Sequence, residues 1–158
     1  MCDSKKFMGE AIDISRQKMN ENKGGPFGAV IVQKGEIVGR GWNKVSSEND
    51  PTAHAEISAI RDACSVLKTF DLSGCEIYTS CEPCPMCLGA IYWARISKIW
   101  YANTAHDAAV VAGFDDENFY QEFTKSMTER KIPSEQVERE MAIRVFEEWS
   151  EKEDRVEY

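Results

Sequence analysis
Two short segments constrain this chain more than anything else in it: His54-Ala55-Glu56 and Pro83-Cys84-Pro85-Met86-Cys87. Together they offer one imidazole, two thiols and one carboxylate, enough for a zinc site with a proton carrier beside it. Any fold that uses them must bring two separated pieces of chain onto one ion. Cys84 and Cys87 are three apart, so on a helix they share a face and reach the same ion. Pro83 fits the start of that helix, expected from Cys84 to about Ala94, and the positive end of the helix dipole favours thiolate, the ligating form. Neutral His54 is the third ligand. Two thiolates balance a dication, and sulfur with imidazole selects zinc over magnesium or calcium.

A closed structural site is the competing reading, with Cys81, Cys84, Cys87 and His54 as a four-ligand shell. Cys81 precedes Pro83 at the end of an expected strand, and a closed shell leaves Glu56 without a role. Three protein ligands plus a water is the catalytic arrangement. Glu56 stands two positions after His54, a spacing that does not share a helix face, so it is read as a neighbour of the metal rather than a ligand. A carboxylate there can take a proton from a zinc-bound water and pass it to a ring nitrogen or a departing amine.

The chain has 158 residues, which suits one domain with a sizeable core. Its formal net charge of −8 repels a phosphate backbone and disfavours a polynucleotide substrate. Residues 115–158 carry most of that charge, as expected of a solvated helical surface. The N-terminus has no apolar signal core, and no run approaches the roughly 18 apolar residues of a membrane span. A cytoplasmic, reducing location is the expectation, in which the six cysteines do not form a disulfide framework.

Phe7, Met8, Ala11, Ile12 and Met19 recur at helical spacing behind Asp3 and Ser4, so a first helix runs to about Asn20. Phe27 to Val32 and Glu36 to Trp42 flank Lys34-Gly35 and read as a hairpin. Lys44 to Thr52 is a polar loop. A second helix starts at Ala53 with His54 and Glu56 in its first turn. Glu76 to Ser80 and Ile96 to Ala102 are strands on either side of the cysteine-bearing helix, which implies a parallel crossover and an α/β sheet with helices on both faces. Asp107 to Gly113 and Glu117 to Thr124 read as short helices and Gln136 to Glu138 as a short strand. Glu140 to Ser150 reads as a last helix with Met141, Val145, Phe146 and Trp149 inward.

The H-x-E followed by P-C-x-x-C pattern is that of zinc-dependent nucleobase deaminases. On it the chain resembles the cytidine deaminase-like superfamily. It is more closely similar to small bacterial-type guanine deaminases through Gly24 to Ala29, Asn49 to Glu56, Tyr78 to Arg95, the Gly113-Phe114-Asp115-Asp116 segment and the terminal Glu157-Tyr158. The resemblance implies a three-layer αβα sandwich with a mixed five-stranded sheet, one zinc ion per subunit, and hydrolytic deamination of guanine to xanthine and ammonia. It further implies Glu56 as the proton carrier, Asn43 as a hydrogen-bonding partner of the purine, and Phe27 and Trp93 as ring contacts. Asp115 would engage guanine's polar edge and relay protons. A homodimer is implied in which residues 115–158 are swapped and Tyr158 of one subunit caps the other's pocket. The rival readings are a tRNA adenosine deaminase, a guanosine or cytidine deaminase, and a non-catalytic zinc-stabilised interaction module.

Overall fold
Lys34 and Gly35 take positive φ, 50° and 82°, the left-handed pair that a two-residue hairpin turn requires. The turn joins β1 (Gly28–Gln33) to β2 (Glu36–Trp42) in antiparallel register, Gln33 opposite Glu36 and Gly28 opposite Trp42. The computed structural model describes residues 3–114 and 117–158. On its other side β1 pairs antiparallel with β3 (Cys75–Cys81), and β3 pairs parallel with β4 (Lys98–Asn103), giving the order β2-β1-β3-β4. The parallel pair is joined through a helix, as a crossover connection demands.

Alternation along β1 builds two cores. Val30 and Val32 face α1 (Asp3–Asn20) with Phe7, Ala11 and Tyr78. A four-residue helix, α2 (Val45–Glu48), lies where the sequence predicts only loop; so short an element shows no apolar period to detect. Ala29 and Ile31 face the opposite way, into a cluster with Ile77, Leu72 and the helices α3 (Ala55–Leu67) and α4 (Pro85–Trp93). Each fully buried Ile or Leu there stabilises the fold by about 1.5–3 kcal/mol relative to exposure. Helix α3 lies flush on the sheet because Ala55, Ala59 and Ala63 meet Gly39 and Gly41 of β2. A Cβ on Gly41 would fall 2.1 Å from the Ala55 carbonyl oxygen and 2.3 Å from the Ala59 nitrogen, so helix and strand would have to part. After β4 comes α5 (Ala105–Ala112), whose Thr104 N-cap forms a reciprocal capping box with Asp107.

The three-layer arrangement and the mixed sheet are as expected, with one difference in number. The sheet has four strands among the described residues, not five. Residues 136–138 form no ladder, because Glu138 turns into the left-handed region (φ 54°) and starts the last helix.

The chain divides into two units, Met1–Glu117 and Asn118–Tyr158. The second holds α6 (Glu117–Thr124, which starts at the boundary), a 3-10 turn at Met127–Glu129, and α7 (Arg139–Glu151). The expected inward face of α7 is instead solvent-facing: Met141 is 65 % exposed, Val145 60 %, Phe146 71 % and Trp149 41 %. A unit of this size has too little chain to enclose such a stripe. Among the described residues no helix is long and apolar enough to cross a membrane.

Candidate active site
Helices α3 and α4 bring their N-termini to the same edge of the sheet. His54 is the residue before α3, with extended backbone (φ −68°, ψ 163°), and Cys84 is the residue before α4 (φ −64°, ψ 166°). Both are therefore N-caps rather than members of the first turn, a correction to the sequence-based placement. Pro85, not Pro83, takes the first helical position of α4, where its missing N–H costs nothing. The cysteine pair survives the shift because an N-cap side chain naturally lies over the third residue of its helix, here Cys87.

The Nδ1 of His54 lies 3.6 Å from the Cys84 sulfur and 3.5 Å from the Cys87 sulfur. Zinc bonds of about 2.0–2.1 Å to nitrogen and 2.3 Å to sulfur, opened to the tetrahedral angle, place those atoms about 3.5 Å apart. The three ligand atoms lie within 4.8 Å of one another, so the donor set fits one zinc ion by chemistry and by spacing. Cys81 stands outside this set and donates its thiol to the Thr104 carbonyl oxygen at 3.5 Å.

The two thiols share their proton unequally. Cys84 is pulled down to about 4 by the hydrogen bond with Cys87 and by His54. Cys87 is pushed up by donating that bond, by burial and by the neighbouring Glu56 carboxylate. The arrangement thus favours thiolate at Cys84, the form that metal binding needs.

Glu56, in the first turn of α3, is buried, with only 6 % of its surface exposed. Its Oε1 accepts from the Thr79 hydroxyl at 3.2 Å and its Oε2 from the Cys87 thiol at 3.4 Å. Burial, with the charge of Cys84 adding to it, pushes the carboxyl above the usual carboxylate range. Such a group is suited to carrying a proton between donor and acceptor.

A cavity of about 450 Å³ opens onto His54, Glu56 and Cys84, walled by Phe27, Asn43 and Phe114 among others. Phe27 meets Phe114 edge to face, centroids 4.9 Å apart at 76°. The Asn43 Oδ1 accepts from the backbone N–H of Gly25 at 3.4 Å and of Val45 at 3.3 Å. Its oxygen is therefore engaged, which leaves the amide NH₂ as the group to offer a ligand. Glu82 also lines the cavity and anchors α5 by accepting from the Ala105 N–H at 3.1 Å.

One predicted contact is not gathered here. Trp93 is 68 % exposed and does not line the cavity. Six residues beyond Cys87 at about 100° and 1.5 Å each put it on another face of α4 and roughly 9 Å along the axis. Tyr158 ends the second unit and is 70 % exposed. Asp115 lies outside the described residues. Two residues missed in the sequence are Thr79 and Phe114. Strand alternation alone puts Thr79 on the same face as Ile77, toward α3, but which carboxylate it meets depends on packing.

Residues 1–103 match the cytidine and deoxycytidylate deaminase zinc-binding region. The chain is 49 % identical over 152 residues to the guanine deaminase of Bacillus subtilis, covering 96 % of this chain and 97 % of that one. The X-ray structure of guanine deaminase from Bacillus subtilis superimposes with a TM-score of 0.94, at 49 % identity, over 98 % of both chains. A tRNA-specific adenosine deaminase of Aquifex aeolicus is 48 % identical over 77 residues, 49 % of this chain and 51 % of that one.

Proposed function
The chain belongs to the cytidine and deoxycytidylate deaminase family, and on that premise we propose that it hydrolyses guanine to xanthine and ammonia. The observation that carries this reading is the extent of the relationship. Likeness to the guanine deaminase runs through 96 % of the chain, whereas likeness to the tRNA-specific enzyme of Aquifex covers 49 %. The cavity supports it. About 450 Å³ suits a free base, and an Asn43 amide that offers N–H favours an acceptor such as a purine 6-oxo group over a 6-amino group.

His54, Cys84 and Cys87 would hold the zinc, which when bound lowers the pKa of a water so that a nucleophile exists near neutral pH. The chain's own residues do the rest. Phe27 and Phe114 flank the ring, and Asn43 fixes its oxo edge. Water adds across C2 and N3 of the base. The Glu56 carboxylate takes one proton from that water and delivers it to N3. The second water proton, carried by the same carboxyl group, goes to the 2-amino nitrogen, which departs with the C–N electron pair as ammonia. Burial of Glu56 keeps bulk water from competing for either proton.

Asp115 is assigned to guanine's polar edge as a relay, by family resemblance. The same reading makes the protein a cytoplasmic homodimer whose 115–158 segments are exchanged, with Tyr158 of one subunit closing the pocket of the other. The uncovered apolar stripe of α7 supports a partner surface for that segment. In the same arrangement Trp93, exposed in its own subunit, would meet the substrate or the partner's segment. The test is ammonia release from guanine, guanosine, cytosine, cytidine, adenine and tRNA supplied separately. Release from guanine is expected to dominate, and release from tRNA alone would overturn the assignment.

A further inference from the structure
We infer that Thr79 is a positioning residue for proton transfer, tethering one oxygen of Glu56 so that the other stays directed at the metal-ligand set. Residues 75, 77, 79 and 81 of β3 point alternately with their neighbours, toward α3, and the row begins with Cys75 and Ile77, both in the apolar cluster beneath that helix. Thr79 continues that row with a hydroxyl, and it is 1 % exposed. Its backbone is occupied by the sheet, opposite Ala29 on one side and Tyr101 on the other, so strand pairing makes no use of the hydroxyl. Valine has the same shape, a stronger preference for strands and no polar group to desolvate. The hydroxyl has a use at this position, and its partner is the Glu56 Oε1 at 3.2 Å.

The consequence is geometric. A carboxylate on a free side chain rotates about its last bond and exchanges its two oxygens. With Oε1 held, Oε2 stays directed at the Cys87 sulfur and the ligand set, 3.4 Å away. A threonine hydroxyl can donate both to a carboxylate and to the carbonyl oxygen of a carboxylic acid, so the tether has an acceptor whether or not Oε2 carries a proton. Preorganisation of this kind matters because a misplacement of about 1 Å can cost about a hundredfold in rate.

This inference rests on Glu56 being the proton carrier, and the experiment separates the two. Thr79→Val, Thr79→Ser, Glu56→Gln and the double variant Thr79→Val/Glu56→Gln are compared for kcat and KM on guanine, zinc content, melting temperature and affinity for xanthine. Thr79→Val should lose about ten- to hundredfold in kcat, with KM, zinc content, melting temperature and xanthine affinity close to those of the parent. Thr79→Ser should recover most of the rate, and Thr79→Val should cost nothing further in the Glu56→Gln background. An unimpaired Thr79→Val, a serine variant as slow as the valine one, loss of zinc from Thr79→Val, or an undiminished effect in the double variant would each overturn the tether. Full turnover by Glu56→Gln would instead remove the proton-carrier role on which it rests.

Discussion

Helices α3 and α7 are each 13 residues long and both repeat small or apolar side chains along one face, yet α3 buries Ala55, Ala59 and Ala63 completely while α7 leaves Phe146 71 % exposed. The difference lies in what each can lean on. Helix α3 has a sheet whose Gly39 and Gly41 leave room for its backbone. Helix α7 belongs to a unit built of helices, a 3-10 turn and coil, with no strand among its described residues. Periodicity therefore specifies a helix and the face that wants cover, and the cover itself has to come from elsewhere in space. Chemistry follows the same division: the zinc ligands and Glu56 all sit in the unit that can hold them rigidly.

The sharpest break in the comparison is Glu56→Gln in the first unit. Turnover should fall by about 10²–10⁴-fold while zinc content and the melting curve stay put, and a parental rate would end the role of that side chain. Next in size is removal of Val156 to Tyr158 from the second unit. Turnover should drop by about ten- to hundredfold with little change in melting temperature, since all three residues lack a buried core position. Full activity after that deletion would discard the capping of the pocket by Tyr158. Stability should divide along the same line: Ile77→Ala, emptying a fully buried site, should cost about 2–5 kcal/mol in denaturant unfolding. Val137→Ala in the second unit, where the side chain is 73 % exposed, should stay within about 0.5 kcal/mol. Equal losses would mean that residues 118–158 have a core of their own.

Cys81→Ser should keep one zinc per subunit, because its thiol is directed at the Thr104 carbonyl; halved metal content would revive a four-ligand shell. The smallest effect concerns acid. Hydrogen bonds from the Thr104 backbone N–H and hydroxyl hold the Asp107 carboxyl below the usual carboxylate range. Its stabilisation of α5 is then fully present above the ordinary carboxylate pKa and is lost as pH falls through the lowered folded value. Asp107→Asn should flatten the acid limb of the stability curve, and an unchanged limb would remove this cap from the account.

The metal set, the deaminase pattern, the hairpin at Lys34-Gly35 and nearly every helix were legible in the amino-acid sequence by itself, because each depends on spacing along a few neighbouring residues. That His54 and Cys84 would be N-caps was one residue beyond what such patterns resolve. Only the tertiary structure decided that Thr79 meets Glu56, that Gly25 and Val45 turn the Asn43 amide, that Trp93 does not line the cavity of its own chain, and that residues 136–138 pair with no strand. Those outcomes depend on which strand lies beside which, in what register, and at what distance a helix can settle. Local sequence sets the period of a side chain's direction, and only the packed neighbours determine what stands in that direction.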